Sequence, residues 1–214
     1  MGYFAENYPF VVQDEIQGMH WNNSQCSLHP IVVYYRDGDV TKSHSICFIS
    51  DDLNHDVDFV YVVVRETVSF ITIFLIDDLL HVHYFSDGCA AQYKNRKNFL
   101  NLCFHKEDFN VDASWSFFAT SHGKSPCDGI GGTLKRLAAR ASLQRPISGQ
   151  ILTPLDFFTF CSSEVNAVTS LYIPQEDISK TRAQMKDRYE MVKTIPGTRS
   201  FHHFVPLSKF EVAT

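Results

Sequence analysis

An α/β fold is predicted by three features of the sequence. An early pair of β-type segments flanks a glycine-containing turn, short apolar strands then alternate with helical segments, and large apolar side chains are abundant. The chain has 214 residues, 44% of them hydrophobic, enough for one large domain or one domain with an appendage. Its 18 Phe and 9 Tyr stock a core that a disordered chain would lack.

Residues 29–35 and 45–49 read as strands, and Arg36-Asp37-Gly38-Asp39 supplies a turn between them, so an antiparallel hairpin is expected. The polar stretch 51–58 precedes a helix over about 60–76. Many of that segment's residues are β-branched, including Val60, Val62, Val63, Val64, Thr67 and Val68, which leaves a strand open as the alternative. Residues 81–85 form a short strand that ends at Ser86-Asp87-Gly88. From 91 to about 105 the pattern is helical, with Tyr93, Leu100, Cys103 and Phe104 on one face and Lys94, Arg96, Lys97 and Asn98 mostly on the other. Residues 115–119 are another apolar strand. Ile130, Leu134, Leu137, Ala138 and Ala141 then make a helical stripe that Pro146 ends.

The order is strand, strand, helix, strand, helix, strand, helix, an antiparallel element joined to parallel crossovers. Beyond residue 150, helices are expected near 154–161 and 179–191, followed by a Phe/His-rich tail at 201–204. The domain division read from this order is 1–150 for the α/β domain and 151–214 for a helical and irregular extension.

A formal net charge of -5 argues against nucleic-acid binding, but the average hides a gradient. Residues 1–91 carry 3 Lys/Arg against 13 Asp/Glu, residues 92–145 carry 9 against 4, and residues 146–214 carry 7 of each. A basic block can follow a phosphate backbone inside an acidic chain; it can equally be a solvated helix face. The six cysteines are scattered, as expected of free thiols in a reducing compartment. The uncharged run 67–76 is too short to span a bilayer, so a soluble intracellular protein without a membrane partner is expected.

Asp87 sits at the carboxyl end of a strand, where open α/β sheets place ligand-binding groups. Asp128, 41 residues later, sits at a helix start on the side away from the apolar stripe. Carboxylates brought together this way would suit Mg²⁺ or Mn²⁺. The simpler reading is that Asp87 makes an Asx turn and Asp128 caps a helix. His81 with His83, Cys26 with His29, and His202 with His203 are rival zinc pairs, unsupported by any Cys-x-x-Cys.

The strings from Phe85 to Phe99 (FSDGCAAQYKNRKNF) and from Ala119 to Gly132 (ATSHGKSPCDGIGG) resemble those of an uncharacterised, transposon-derived protein family of animal genomes. So do Trp21-Asn22-Asn23-Ser24-Gln25 with His29-Pro30, Phe48-Ile49-Ser50-Asp51-Asp52, and Ile195-Pro196-Gly197-Thr198-Arg199-Ser200-Phe201. The resemblance implies a ribonuclease-H-like mixed sheet flanked by helices, with acidic residues holding Mg²⁺ or Mn²⁺ for DNA strand cleavage or transfer. It matches Asp87 to the second acidic position, Asp128 to the third, and gives His122 the part of orienting a phosphate or water. The basic balance of residues 92–145, rather than the resemblance, puts DNA along Lys94, Arg96, Lys97, Lys124, Lys135 and Arg136, and the nucleus would be the place of action.

At the first acidic position the sequence departs from the family. Relatives typically read Asp-Phe-Ala-Glu-Asn-Tyr, and this chain reads Tyr3-Phe4-Ala5-Glu6-Asn7-Tyr8. A neutral phenol is a poor ligand for a hard cation, and neither Glu6 nor Asp14 has geometric support as a replacement. Most of the first strand is also missing, because the chain begins at Met1. The expectation is a truncated catalytic domain that binds nucleic acid, no longer cuts or joins it, and self-associates through an unpaired sheet edge. The alternative is a domesticated or decaying protein-interaction module.

Overall fold

In chain order the elements are β1 (Ala5–Pro9), β2 (Gln25–Asp37), β3 (Val40–Ser50), α1 (Val57–Phe74), β4 (His81–Ser86), α2 (Arg96–Phe109) and β5 (Asp112–Phe117). There follow α3 (Pro126–Gln144), α4 (Pro154–Glu164), β6 (Thr169–Ile173), α5 (Gln175–Glu190), β7 (His203–Ser208) and β8 (Glu211–Ala213). The structure, a computed structural model, describes residues 1–2, 4–11, 24–118 and 125–214, with Ile147 described by its backbone alone. The α/β class holds. Instead of the single mixed sheet that the family resemblance implies, the strands form two sheets, ordered β1-β2-β3-β6 and β4-β5-β7-β8. Two compact units result, each drawn from two stretches of sequence: Met1–Asn54 with Lys124–Gln175, and His55–Gly123 with Glu176–Thr214.

In the first unit, β2 and β3 pair antiparallel without interruption from Ser27↔Ser50 to Asp37↔Val40. Gly38, first of the two loop residues, has φ +61°, the conformation that a two-residue hairpin loop asks of glycine. β1 adds antiparallel to β2, and β6 adds parallel to β3. One sheet face, with Cys26, Leu28, Cys47 and Ile49, joins Leu134 and Ala138 of α3 and Phe157, Phe160 and Cys161 of α4 in a single buried cluster. Gly131 permits the close approach of α3, since a Cβ there would lie 3.3 Å from the Ala5 Cβ.

In the second unit, β4 and β5 are parallel and are joined through α2, while β7 and β8 extend the sheet antiparallel. The segment 57–74 is a helix despite its β-branched content: Asp56 accepts from the Phe59 amide as N-cap, and ten of its residues are buried. The hydroxyls of Thr67 and Thr72 bond back to the carbonyls of Val63 and Val68, so neither competes for the ladder. Phe99 of α2 stacks on Phe204 of β7 at 4.2 Å between ring centroids, and the indole of Trp115 donates to Ser86 Oγ at 2.9 Å.

The segment after residue 150 differs most from its expected helical and irregular character. β6 completes the first sheet, and the tail around 201–204 becomes β7 of the second. Among the described residues no helix is long and apolar enough to cross a membrane.

Candidate functional site

The connection from β4 into α2 is built by side chains that serve the main chain. β4 ends on buried Ser86, whose hydroxyl donates to the Asp87 carbonyl at 3.0 Å. Asp87 Oδ1 then accepts from the Cys89 amide at 2.9 Å, an Asx turn. The Cys89 carbonyl accepts from the amides of Gln92, Tyr93 and Lys94. Asn95 is the N-cap of α2, accepting from Lys97 and Asn98 amides while its own NH₂ donates to the Ala90 and Gln92 carbonyls. Asn98 closes the turn by donating to the Tyr93 carbonyl at 2.8 Å. These bonds tie the loop to itself at several points and set Arg96 at the first helical position. Asn98, expected on the polar face of the helix, is instead buried, because its amide is spent on the Tyr93 carbonyl; Asn95, just before the apolar helical pattern, carries the sequence signal of a cap.

Asp128 lies at the third position of α3 in a capping box. Ser125 Oγ accepts from the Cys127 amide at 3.1 Å, and Asp128 Oδ2 accepts from the Ser125 amide at 3.0 Å. Its orientation away from the stripe is as expected, since Leu134 and Ala138 are buried and Asp128 is exposed. Both aspartates therefore perform the local structural duties that sequence allowed them.

The pair is split between the units, Asp87 in the second and Asp128 in the first. Among the described residues no group of three or more His, Cys, Asp or Glu is arranged to hold a metal ion. His122, Lys124, Tyr3 and Asp14 lie outside the described residues.

The remaining cations differ in availability. Lys94 donates to the Arg199 carbonyl at 3.2 Å and lies over the Phe117 ring, and burial pulls its pKa down. Lys97 sits 4.8 Å from the centroid of the Tyr189 ring. Lys135 donates to the Glu6 carbonyl, and burial lowers its pKa. Arg96 in the second unit and Arg136 in the first are exposed.

One polar arrangement had not been anticipated. His81 Nε2 meets Ser114 Oγ at 2.9 Å, Ser114 meets His83 Nδ1 at 2.7 Å, His83 Nε2 meets Ser116 Oγ at 3.1 Å, and Ser116 meets His203 Nδ1 at 2.8 Å. This ladder crosses β4, β5 and β7 on one sheet face. Each hydroxyl can donate to one imidazole while accepting from the next. Burial, with His203 and His81 alongside, holds His83 below the ordinary histidine range. The i, i+2 spacing of His81 and His83 is visible in sequence, but its serine partners come from a strand 33 residues away.

No curated protein matches the sequence, and no solved structure does. A family model described as a domain of unknown function (DUF8701) matches residues 1–214, and the chain therefore belongs to that family.

Proposed function

We propose that the protein binds DNA through the phosphate backbone, as a domain of transposase descent with a ribonuclease-H-like order of elements. In this reading, ancestral metal-dependent strand cleavage or transfer is not retained. The observation that carries it is the β4–α2 connection. A hydrogen-bonded loop at the carboxyl end of a parallel strand pair leads into a helix whose first residue, Arg96, is exposed. Ligands of α/β sheets bind at such strand ends. Arg136 is a second exposed cation, while the ammoniums of Lys94, Lys97 and Lys135 are engaged within the fold and contribute less.

Absence of catalysis is supported by Tyr3 standing where the resemblance places a carboxylate, and by Asp87 and Asp128 each committing an oxygen to a main-chain amide. The test is a salt titration of binding to a short labelled duplex. Affinity should fall as salt rises, and Arg96→Gln and Arg136→Gln should each weaken binding and flatten the logarithmic salt slope by about one. Absence of binding at low salt would overturn the reading in favour of a protein-interaction module. Incubation of supercoiled DNA with Mg²⁺ or Mn²⁺ should leave it intact; cleavage abolished by Asp87→Ala would refute the loss of activity.

A further inference from the structure

The second unit contains a cavity of about 600 Å³ that the DNA-binding reading does not use. One wall is a face of α2 spaced i, i+3, i+4, i+7 and made by Arg96, Phe99, Leu100 and Cys103. The segment 191–196 and residues of β8 make the other walls. Apolar side chains remain open at this place, Met191 at 51% and Phe210 at 64% exposure. Exposed apolar surface around a concavity is a common mark of a binding site, and the volume is that of a small-molecule site.

Charge narrows the ligand. Arg96 and Lys193 border the cavity, both are exposed, and neither has an ion pair among the described residues. Glu211 is the one carboxylate on the described lining, so cations outnumber anions there. The positive balance of this rim attracts an anionic head group and repels a cationic one.

We infer that this cavity binds an amphipathic anion, a molecule with an acyl chain and a carboxylate head. The chain lies against Met191, Ile195 and Val212, and the head is held by Arg96 and Lys193. The inference shares only Arg96 with the DNA-binding reading, and the two are separated by their probes, duplex DNA for one and laurate for the other.

The experiment is calorimetric titration of the full chain with laurate below its aggregation threshold, compared with dodecanol and dodecyltrimethylammonium. Saturable single-site binding of laurate is expected, with the cationic analogue at least about tenfold weaker because it meets like charge. The double substitution of Arg96→Gln with Lys193→Gln should weaken laurate about tenfold and leave dodecanol unchanged. Cys103→Trp, which puts an indole into the cavity beside the chain's path, should weaken binding of both at least about tenfold, with a thermal melt to show that the variant is folded. Should that variant not fold, the two exposed positions still decide, since neither supports the core. Failure of laurate to saturate, equal affinity for the cationic analogue, or indifference to the double substitution would each overturn the inference.

Discussion

Both units bury some polar side chains, but the first sets three thiols within its apolar cluster, whereas the second threads a chain of hydrogen bonds between aromatic and imidazole rings. In the first, Cys26, Cys47 and Cys161 lie in the cluster with Leu28, Ile49, Leu134 and Phe157. Burial pushes the Cys26 and Cys161 thiols up to about 12 and that of Cys47 well above its usual value, so all three stay protonated and inert near neutrality. In the second, Tyr84 bonds His105 at 2.8 Å, His105 reaches the Val111 carbonyl at 2.6 Å, and Arg188 grips Asp108 through two bonds of 2.7 and 2.8 Å. Packing volume dominates the cluster around Phe157, and hydrogen-bond geometry dominates the network around His105 and Asp108. The first should therefore tolerate changes of pH better than changes of volume, and the second should be sensitive to polarity and protons.

The largest expected effect breaks the comparison on the side of packing. Phe157 is fully buried in the first cluster, and Phe157→Ala should cost about 3–5 kcal/mol in urea unfolding, where a cost under about 1 kcal/mol would deny that volume governs this interior. Next comes the polar side. Asp108 and Arg188 are 11% and 18% exposed, and Asp108→Ala should cost about 2–3 kcal/mol by leaving the guanidinium with no carboxylate. Arg188→Lys should restore only part of the stability, because an ammonium cannot make the paired contacts; full stability in that variant would show that charge alone matters.

A smaller effect belongs to the hairpin. Gly38 has φ +61° and open space around its Cα, so Gly38→Ala should cost about 1 kcal/mol through backbone strain alone, read as a shift in the melting midpoint. An unchanged midpoint would mean that the loop relaxes to another turn.

The smallest effect is one of pH slope. Burial holds His105 below its ordinary value of 6.5. As pH falls through that value the unfolded chain takes up the proton first, so stability present above it is lost progressively toward the lower folded pKa. His105→Gln should flatten this part of the curve, and an unaltered slope would assign the acid sensitivity to another group such as His83.

Much of the local structure was legible in sequence. The hairpin around Gly38, the strand before Asp87, the helix with Leu134 and Ala138 on its inner face, and the helices in the segment after residue 150 all follow from periodicity and caps. The start of α2 lies at Arg96, later than the periodic apolar pattern suggests, because Asn95 caps it and residues 90–94 are consumed in turns. β6, β7 and β8 were not legible. β6 and β7 pair with strands far away in sequence, as in Ser50↔Ile173 and Trp115↔Phe204, while β8 is a three-residue strand paired locally to β7, where Pro206 weakens any strand pattern.

The candidate site divides the same way. That Asp87 could make an Asx turn and Asp128 a helix cap was written in their immediate neighbours, because those bonds span two or three residues. Which unit each aspartate joins, which lysines have their ammoniums drawn into the fold, and how serines 114 and 116 come to link three histidines are matters of contact between distant segments. Sequence by itself determined the turns, caps and amphipathic faces, whose hydrogen bonds and periodicity are local. Only the tertiary structure decided sheet membership, the cavity beside α2 and the His–Ser ladder, because each depends on strands and segments that meet across the chain.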